Sequence, residues 1–525
     1  MLEAYKKFWI RIMDYQGTST REEYWCPTLI NALLGSLVFV ILETITNHTF
    51  AVTNIYSLDQ LFLVVGYQCV VVGVWLASFS VRVRRLHDIG LSGKWIMIFL
   101  IPVIGPLIFC VMALLPSKKN SRYPRLANNR PRYFKLTLMM VLFLSFLTIW
   151  GKNYVNYTRE TYRASQVSRW GADQTPLISK SEFEAVFNRY YGMNNKTVLN
   201  KVTNVHQVII PGLHGAWSLN HTTHRLDFGD DWVPQGLAEN KKYYFISAYD
   251  GEHRLNSLVF LVNKVTGKYY KSIILKRKAH VGGLALDETH KILWISDDLK
   301  SHAQVEGLSL SAIKNYQAKS MKRPIASVQD APLYWAGKTS GLAYFKNNLL
   351  IVKYGTSTKT HSVVDMEVVP QSGLVSKQSQ KKVSWEKFTY NSRTLGDTSG
   401  ILMKEGFFKS FTPGYERMQG LTVLPGGKSK VHVIYSQSNG SSASDLMVNE
   451  FRMNDYFDFN KIKGLPHKRL ITMKIPPSAE QVSADERHKN ISVLFEGGAK
   501  EYRKYKLGFL RTPFMDRLIV YHFHA

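Results

Sequence analysis

Pro234-Gln235-Gly236-Leu237-Ala238, then Tyr243-Tyr-Phe-Ile-Ser-Ala-Tyr249, sets a pattern that the chain repeats: a turn containing glycine, a short apolar strand, a pause and a stronger strand. The second copy is Val281-Gly282-Gly283-Leu284-Ala285-Leu286 with Ile292-Leu-Trp-Ile-Ser296, and the third is Thr339-Ser340-Gly341-Leu342-Ala343-Tyr344 with Leu349-Leu-Ile-Val352. The fourth is Met418-Gln419-Gly420-Leu421-Thr422-Val423 with Val431-His-Val-Ile-Tyr435. A fifth, degenerate copy is Ala479-Glu480-Gln481-Val482 with Ile491-Ser-Val-Leu-Phe495. Each unit continues with material for two more strands, clearest in Ser257 to Asn263, the turn Lys264-Val265-Thr266-Gly267, and Lys268 to Leu275. Four strands per repeat, with glycine turns and a period of about 40–60 residues, are the sequence signature of an all-β propeller. Five blades are expected. The uneven spacing from Lys377 to Arg417, either a long insertion or a hidden blade, keeps six open.

In such a fold the innermost strands gather round a central channel, and each follows its Gly-Leu turn. Gln235, Gly282, Ser340, Gln419 and Glu480 are therefore expected near one channel mouth. Two readings stand. In one, glycine permits close approach at the narrow axis and the polar residue caps a buried backbone group; in the other, Gln235, Ser340, Gln419 and Glu480 bind a ligand. This region also resembles the gluconolactonase and strictosidine-synthase-like superfamily of propellers, which implies a divalent metal held at the axis by carboxylates and amides. Only Glu480 of the five turn residues is acidic, so no metal constellation and no cofactor is carried over.

Local chemistry elsewhere is sparse. The stretch from Leu213 to Trp232 holds His214, His221, His224, Asp227, Asp230 and Asp231. A zinc site would need a fixed partner pair or a further ligand, and a solvated loop with a first-strand role is the alternative. Asp297, Asp298, Asp397 and Glu496 stand near strand ends, where a carboxylate pair of the glycosidase kind is one reading and acidic surface turns another. Gly396-Asp397-Thr398-Ser399-Gly400 resembles an aspartic-protease triplet but has no second copy, and reads as a turn. No Gly-x-Ser-x-Gly, phosphate loop or dinucleotide fingerprint occurs.

The other end of the chain is of a different kind. Four stretches approach the roughly 20 apolar residues that a membrane span needs: Pro27 to Ile45, Leu61 to Val81, Trp95 to Leu115 and Leu136 to Trp150. Met1 to Trp25, with Lys6, Lys7, Arg11 and Arg21 among aromatics, reads as an amphipathic segment at the membrane surface. The loop Thr46 to Gln60 has no Lys or Arg, whereas Arg82, Arg84, Arg85 and Lys94 follow the second span, and Lys118, Lys119, Arg122, Arg125, Arg130, Arg132 and Lys135 follow the third stretch. Cytoplasmic loops are the basic ones. Both basic segments can lie inside if Pro102, Gly105 and Pro106 break the third stretch into a re-entrant hairpin; a straight kinked span is the alternative. With the hairpin, the last span carries the soluble domain outward.

Three blocks share a family pattern: Gly17-Thr-Ser-Thr-Arg21-Glu22-Glu23-Tyr24-Trp25, then Val83-Arg84-Arg85-Leu86-His87-Asp88-Ile89-Gly90-Leu91-Ser92-Gly93-Lys94-Trp95, then Ile101-Pro102-Val103-Ile104-Gly105. Over about residues 1 to 125 the chain resembles the bacterial domain-of-unknown-function 805 family. It departs from it in having Gly17-Thr18 for Gly-Arg and Trp25-Cys26 for two aromatics. The resemblance implies a bacterial cytoplasmic-membrane protein and supplies no activity. Arg84, Arg85, His87 and Asp88 form a membrane-interface motif in which the arginines anchor at headgroups and Asp88 pairs with one of them; a proton-linked site at His87 and Asp88 is the sharper alternative.

The expected organisation is a multi-span membrane domain at 1–132, a final transmembrane helix at 133–151, a stalk or helical collar at 152–204 and a propeller at 205–525. The chain carries a net charge of +28, with Lys and Arg scattered through the soluble part rather than gathered in one block and without a nucleic-acid-binding signature, so anionic wall polymers such as teichoic acids or lipid headgroups are better counter-charges than nucleic acid. Cys26, Cys69 and Cys110 all lie in or beside the membrane part, which suits a surface domain without disulfides and equally a cytoplasmic one. Two function classes remain: a membrane-anchored surface binding protein for a wall polymer, carbohydrate or protein, or an extracytoplasmic propeller enzyme of hydrolase or lactonase type acting on a sugar-like substrate. Paired acids with amides at a channel mouth would favour the enzyme, and an aromatic or basic patch would favour binding. The abundance of Tyr and Trp tilts the expectation to binding.

Overall fold

A computed structural model describes residues 1–45, 58–125, 134–161, 167–299, 301–355, 362–384, 395–456, 468–485, 490–503, 505–506, 510–511 and 513–523. The loop at 46–57 and the basic residues Arg130 and Arg132, used above to orient the chain, lie outside the described residues. The chain divides into two compact units, Met1–Tyr157 with Tyr505–Arg511 and Thr158–Lys504 with Thr512–Ala525.

In the first unit, helix α1 (Leu2–Ile10) buries Ala4 and Phe8 against the longer helices and leaves Leu2, Trp9 and Ile10 exposed. Helices α2 (Arg21–Ile45), α3 (Leu58–Asp88) and α5 (Phe134–Thr161) contain the three described helices long and apolar enough to cross a membrane. Thr20 opens α2 through a reciprocal cap: its hydroxyl accepts from the Glu23 amide at 3.3 Å and Glu23 accepts from the Thr20 amide at 3.2 Å, which satisfies two donors that a helix start leaves bare.

The third apolar stretch is not one continuous helix. It forms a 3-10 turn, Gly93–Leu100, and a separate helix α4 (Ile104–Leu114), with Val103 between them at φ 63°. A Cβ on Gly105 would lie 1.9 Å from the Ile98 carbonyl oxygen, so only glycine lets the second arm fold back on the first. Each arm is about 16 Å long from its rise per residue, roughly half of a 30 Å hydrocarbon core. The hairpin closes where it opened: the Lys118 amide donates to the Asp88 carbonyl at 2.9 Å, and Ser117 donates to the Asp88 carboxylate at 2.5 Å.

In the second unit, five four-stranded antiparallel sheets surround an axis. The innermost strands are Trp232–Glu239, Leu284–Asp287, Gly341–Phe345, Met418–Pro425 and Ala479–Asp485, each packed on the next and the last on the first. The ring is closed by strand exchange, because Val202–Ile209 supplies the outermost strand of the fifth blade beside Arg517–Phe523. The propeller therefore begins at a strand that the repeat pattern does not announce. There is no sixth blade among the described residues. The segment after Glu367 is an excursion that carries helix Leu395–Lys404 and returns as Ser410–Pro413, the outer strand of the third blade. Gly396 to Gly400 thus lies in a helix rather than the expected turn.

Helix α6 (Lys180–Tyr191) is capped by Ser179, whose hydroxyl accepts from the Glu182 amide at 3.1 Å. It buries Phe183, Val186, Phe187 and Tyr190. Arg517 of the closing strand lies over the Phe183 ring at 4.6 Å, and Asp516 accepts the amides of Leu177 and Ile178 at 2.8 and 3.2 Å. This segment is a collar that holds the seam of the ring.

Candidate functional site at the propeller axis

Four of the five blades bring a turn glycine close to the next blade. A Cβ on Gly283 would stand 2.3 Å from the Leu342 amide nitrogen, and one on Gly420 would stand 2.6 Å from Gln481 Cα. Four blades have Gly236, Gly283, Gly341 and Gly420 at this position; the fifth has Gln481. The space those glycines leave is filled by its buried carboxamide. Gln481 Oε1 accepts from the amides of Leu237 and Leu284 at 2.9 and 2.7 Å, and Nε2 donates to the carbonyls of Leu284 and Leu342, both at 2.6 Å. One side chain thereby satisfies the axis-facing main chain of three blades. Serines on the second strands add links: Ser247 donates to the Val281 carbonyl at 2.7 Å, and Ser436 donates to the Glu480 carbonyl.

At the mouth where the inner strands begin, Gln235 and Glu480 meet through a third residue. Gln235 Nε2 donates to Glu496 Oε2 at 3.0 Å, and Glu496 is hydrogen-bonded to Glu480 and Tyr502. Burial pushes the Glu480 carboxyl well above the usual carboxylate range, and Glu496 adds to it; burial also raises Glu496. Each of two neighbouring carboxyls disfavours the ionised form of the other. Glu480 is 3% exposed, and the direct bond leaves no gap between the two acids for a substrate. Ser340 spends its hydroxyl on the Val352 carbonyl at 3.0 Å. Gln419 is part-exposed at the same mouth, its carbonyl beside Gly341.

The remaining candidates are dispersed. Asp297 pairs with Arg277 and accepts from Gln304 at 2.9 Å, while Asp298 accepts from the Thr339 amide at 3.3 Å and is pushed up to about 6 by burial. His221 Nδ1 contacts Asn256 at 2.8 Å and His214 Nε2 the Pro176 carbonyl at 3.3 Å. Their stretch forms a hairpin, Ala216–Leu219 with Leu226–Gly229, in place of a loop, and no group of three His, Cys, Asp or Glu among the described residues could hold a metal. The side chain of Asp397 lies outside what the structure describes. Tyr249, Tyr502 and Gln481 were not foreseen; a glutamine in the place of a repeated glycine was the visible signal.

In the membrane unit the motif residues face inward. Arg84 and Arg85 are 1% and 0% exposed, so they are not headgroup anchors. Arg84 donates to Ser19 Oγ at 2.8 Å and to the carbonyls of Arg11 and Asp14 at 2.6 and 3.0 Å. Arg85 pairs with Asp88 and donates to the Ala113 carbonyl at 3.1 Å and to that of Leu115. His87 Nδ1 meets the Gly17 carbonyl at 3.1 Å, and its ring stacks on Tyr123 at 3.7 Å. Arg84 thus ties the first block of the sequence pattern to the second, and Arg85 ties the second block to the end of helix α4.

A small helical membrane domain with a broken hairpin, followed by a five-bladed propeller, defines the class: a membrane protein carrying a large all-β domain. Residues 12–124 match the family described as protein of unknown function DUF805. The chain is 30% identical over 121 residues to inner membrane protein YhaI of Escherichia coli K12, covering 22% of this chain and 91% of YhaI. It is 30% identical over 115 residues to YhaH of the same strain, covering 21% and 83%. Through this region the chain belongs to the DUF805 family. Among solved structures, the WD40 repeats of RRP9 align at 9% identity over 61% of this chain and 100% of that one, with TM-score 0.28. Hydrazine synthase of Kuenenia stuttgartiensis aligns at 10% identity over 50% and 56%, with TM-score 0.25. These comparisons do not extend the likeness to the gluconolactonase superfamily.

Proposed function

We propose that this protein is a membrane-anchored recognition module whose propeller stands on the extracytoplasmic side and binds a component of the cell surface. The observation that carries the sidedness is the bond from the Lys118 amide to the Asp88 carbonyl. A hairpin that returns to its own side leaves three crossings, and three crossings put the propeller opposite the N-terminus. The basic residues Arg82, Lys94, Lys118 and Lys119 support a cytoplasmic first side.

Recognition is favoured over hydrolysis by the state of the one acid pair at the axis. Glu480 and Glu496 are joined to each other and to Gln235, so the pair serves the ring closure rather than an attacking water. Protease treatment of spheroplasts expressing the chain with a C-terminal tag tests the location. Loss of the tag while a cytoplasmic control survives is expected; a tag protected until lysis would place the propeller inside.

A further inference from the structure

The channel is blocked by Gln481 and opens beyond it into a funnel of about 280 Å³, lined by the later residues of all five inner strands. Leu237, Leu284 and Leu342 turn amides or carbonyls to the axis, where Gln481 takes them. Strand edges repeat every two residues, so the same edge faces the axis again at Glu239, Leu286 and Tyr344, and at Val423 and Ala484 in the last two blades. All five line the funnel.

A ring of alternating amides and carbonyls offers donors and acceptors in similar number. The side chains add hydroxyls at Thr422 and Ser483, and charges of both signs at Lys241 and Glu288. Glu239 and Asp485, which also reach the funnel, are bridged by Lys264 at 2.6 and 3.1 Å. Such a lining rewards a ligand dense in hydroxyls and disfavours one with strong net charge. The volume lies near the lower end of the roughly 300 to 1,000 Å³ usual for small-molecule sites, a size that suits a single sugar ring.

We propose that this funnel binds a small neutral polyhydroxylated ligand of the monosaccharide class, with the Gln481 carboxamide as its floor. The proposal rests on the recognition reading and names its ligand class. It places the seat at the end of the channel opposite Gln235, Ser340, Gln419 and Glu480.

The test uses the full chain in lipid nanodiscs and saturation-transfer NMR with methyl α-glucoside, methyl α-mannoside, methyl β-galactoside and N-acetylglucosamine as probes. Saturable binding of at least one probe is expected. Thr422→Phe, which fills the funnel, should abolish it, and Thr422→Val, which keeps the volume and removes the hydroxyl, should weaken it about threefold to tenfold. Val265→Ser, at a fully exposed turn, should leave it unchanged. If no probe binds the folded wild-type chain, the ligand class is wrong. If binding survives both Thr422 variants, the seat lies elsewhere while recognition itself stands.

Discussion

Gln481 of the fifth blade and Leu284 of the second exchange two hydrogen bonds across the axis: Oε1 accepts the Leu284 amide at 2.7 Å and Nε2 donates to the Leu284 carbonyl at 2.6 Å. Truncation to Gln481→Ala strands main-chain groups in three blades, each costing about 1–3 kcal/mol when left unmet. Water entering from the funnel recovers part of this, so a net loss of about 2–4 kcal/mol is expected. Chemical unfolding of the full chain in detergent, followed by tryptophan fluorescence, reads it as a lower midpoint.

Gly283→Ala should be costly for the opposite reason. Its Cβ would meet main chain at Leu342, which cannot rotate away as a side chain could. A loss of about 1–3 kcal/mol is expected from overpacking, visible in the same unfolding measurement. Gly427→Ala, where no atom lies within 4 Å but φ is +103°, separates the two causes: any loss there is backbone strain alone.

The Glu480–Glu496 pair gives a pH dependence of definite sign. Both folded carboxyls are raised above their ordinary 4.5, so above that pH the unfolded chain binds fewer protons than the folded one. Stability contributed by the pair is present at low pH and is lost as pH rises toward the folded values. Tyr249, Tyr502, Glu501 and Gln235 face the pair and hold no compensating positive charge. Glu480→Gln should raise the melting temperature at about pH 8 and flatten the slope between about pH 5 and 8. Equal melting curves for variant and wild type across that range would contradict it.

Much of this could be read from residues in order. The Gly-Leu turns gave the blades because the same steric demand recurs at every inner strand, and Pro102 with Gly105 gave the break in the third apolar stretch. What stayed hidden depends on contacts distant in sequence. Val202–Ile209 reads as an ordinary strand until Arg517–Phe523 pairs with it. Arg84 and Arg85 look like headgroup anchors until the carbonyls of Arg11, Asp14, Ala113 and Leu115 are seen to converge on them. Glu496 sits beyond its own strand and joins Glu480 only because that hairpin is in register. Gln481 was dismissed as degeneracy, although it is the residue the four glycines accommodate.

The most direct test of the account labels single cysteines in a chain whose Cys26, Cys69 and Cys110 are replaced by serine. Lys119→Cys lies just past the hairpin and Val265→Cys on an exposed propeller turn. A membrane-impermeant maleimide should modify Val265→Cys only in spheroplasts and Lys119→Cys only in inverted vesicles. The reverse pattern, with Lys119→Cys labelled in spheroplasts and Val265→Cys in inverted vesicles, would mean that the third stretch crosses the membrane, and would contradict the hairpin topology on which the extracytoplasmic propeller depends.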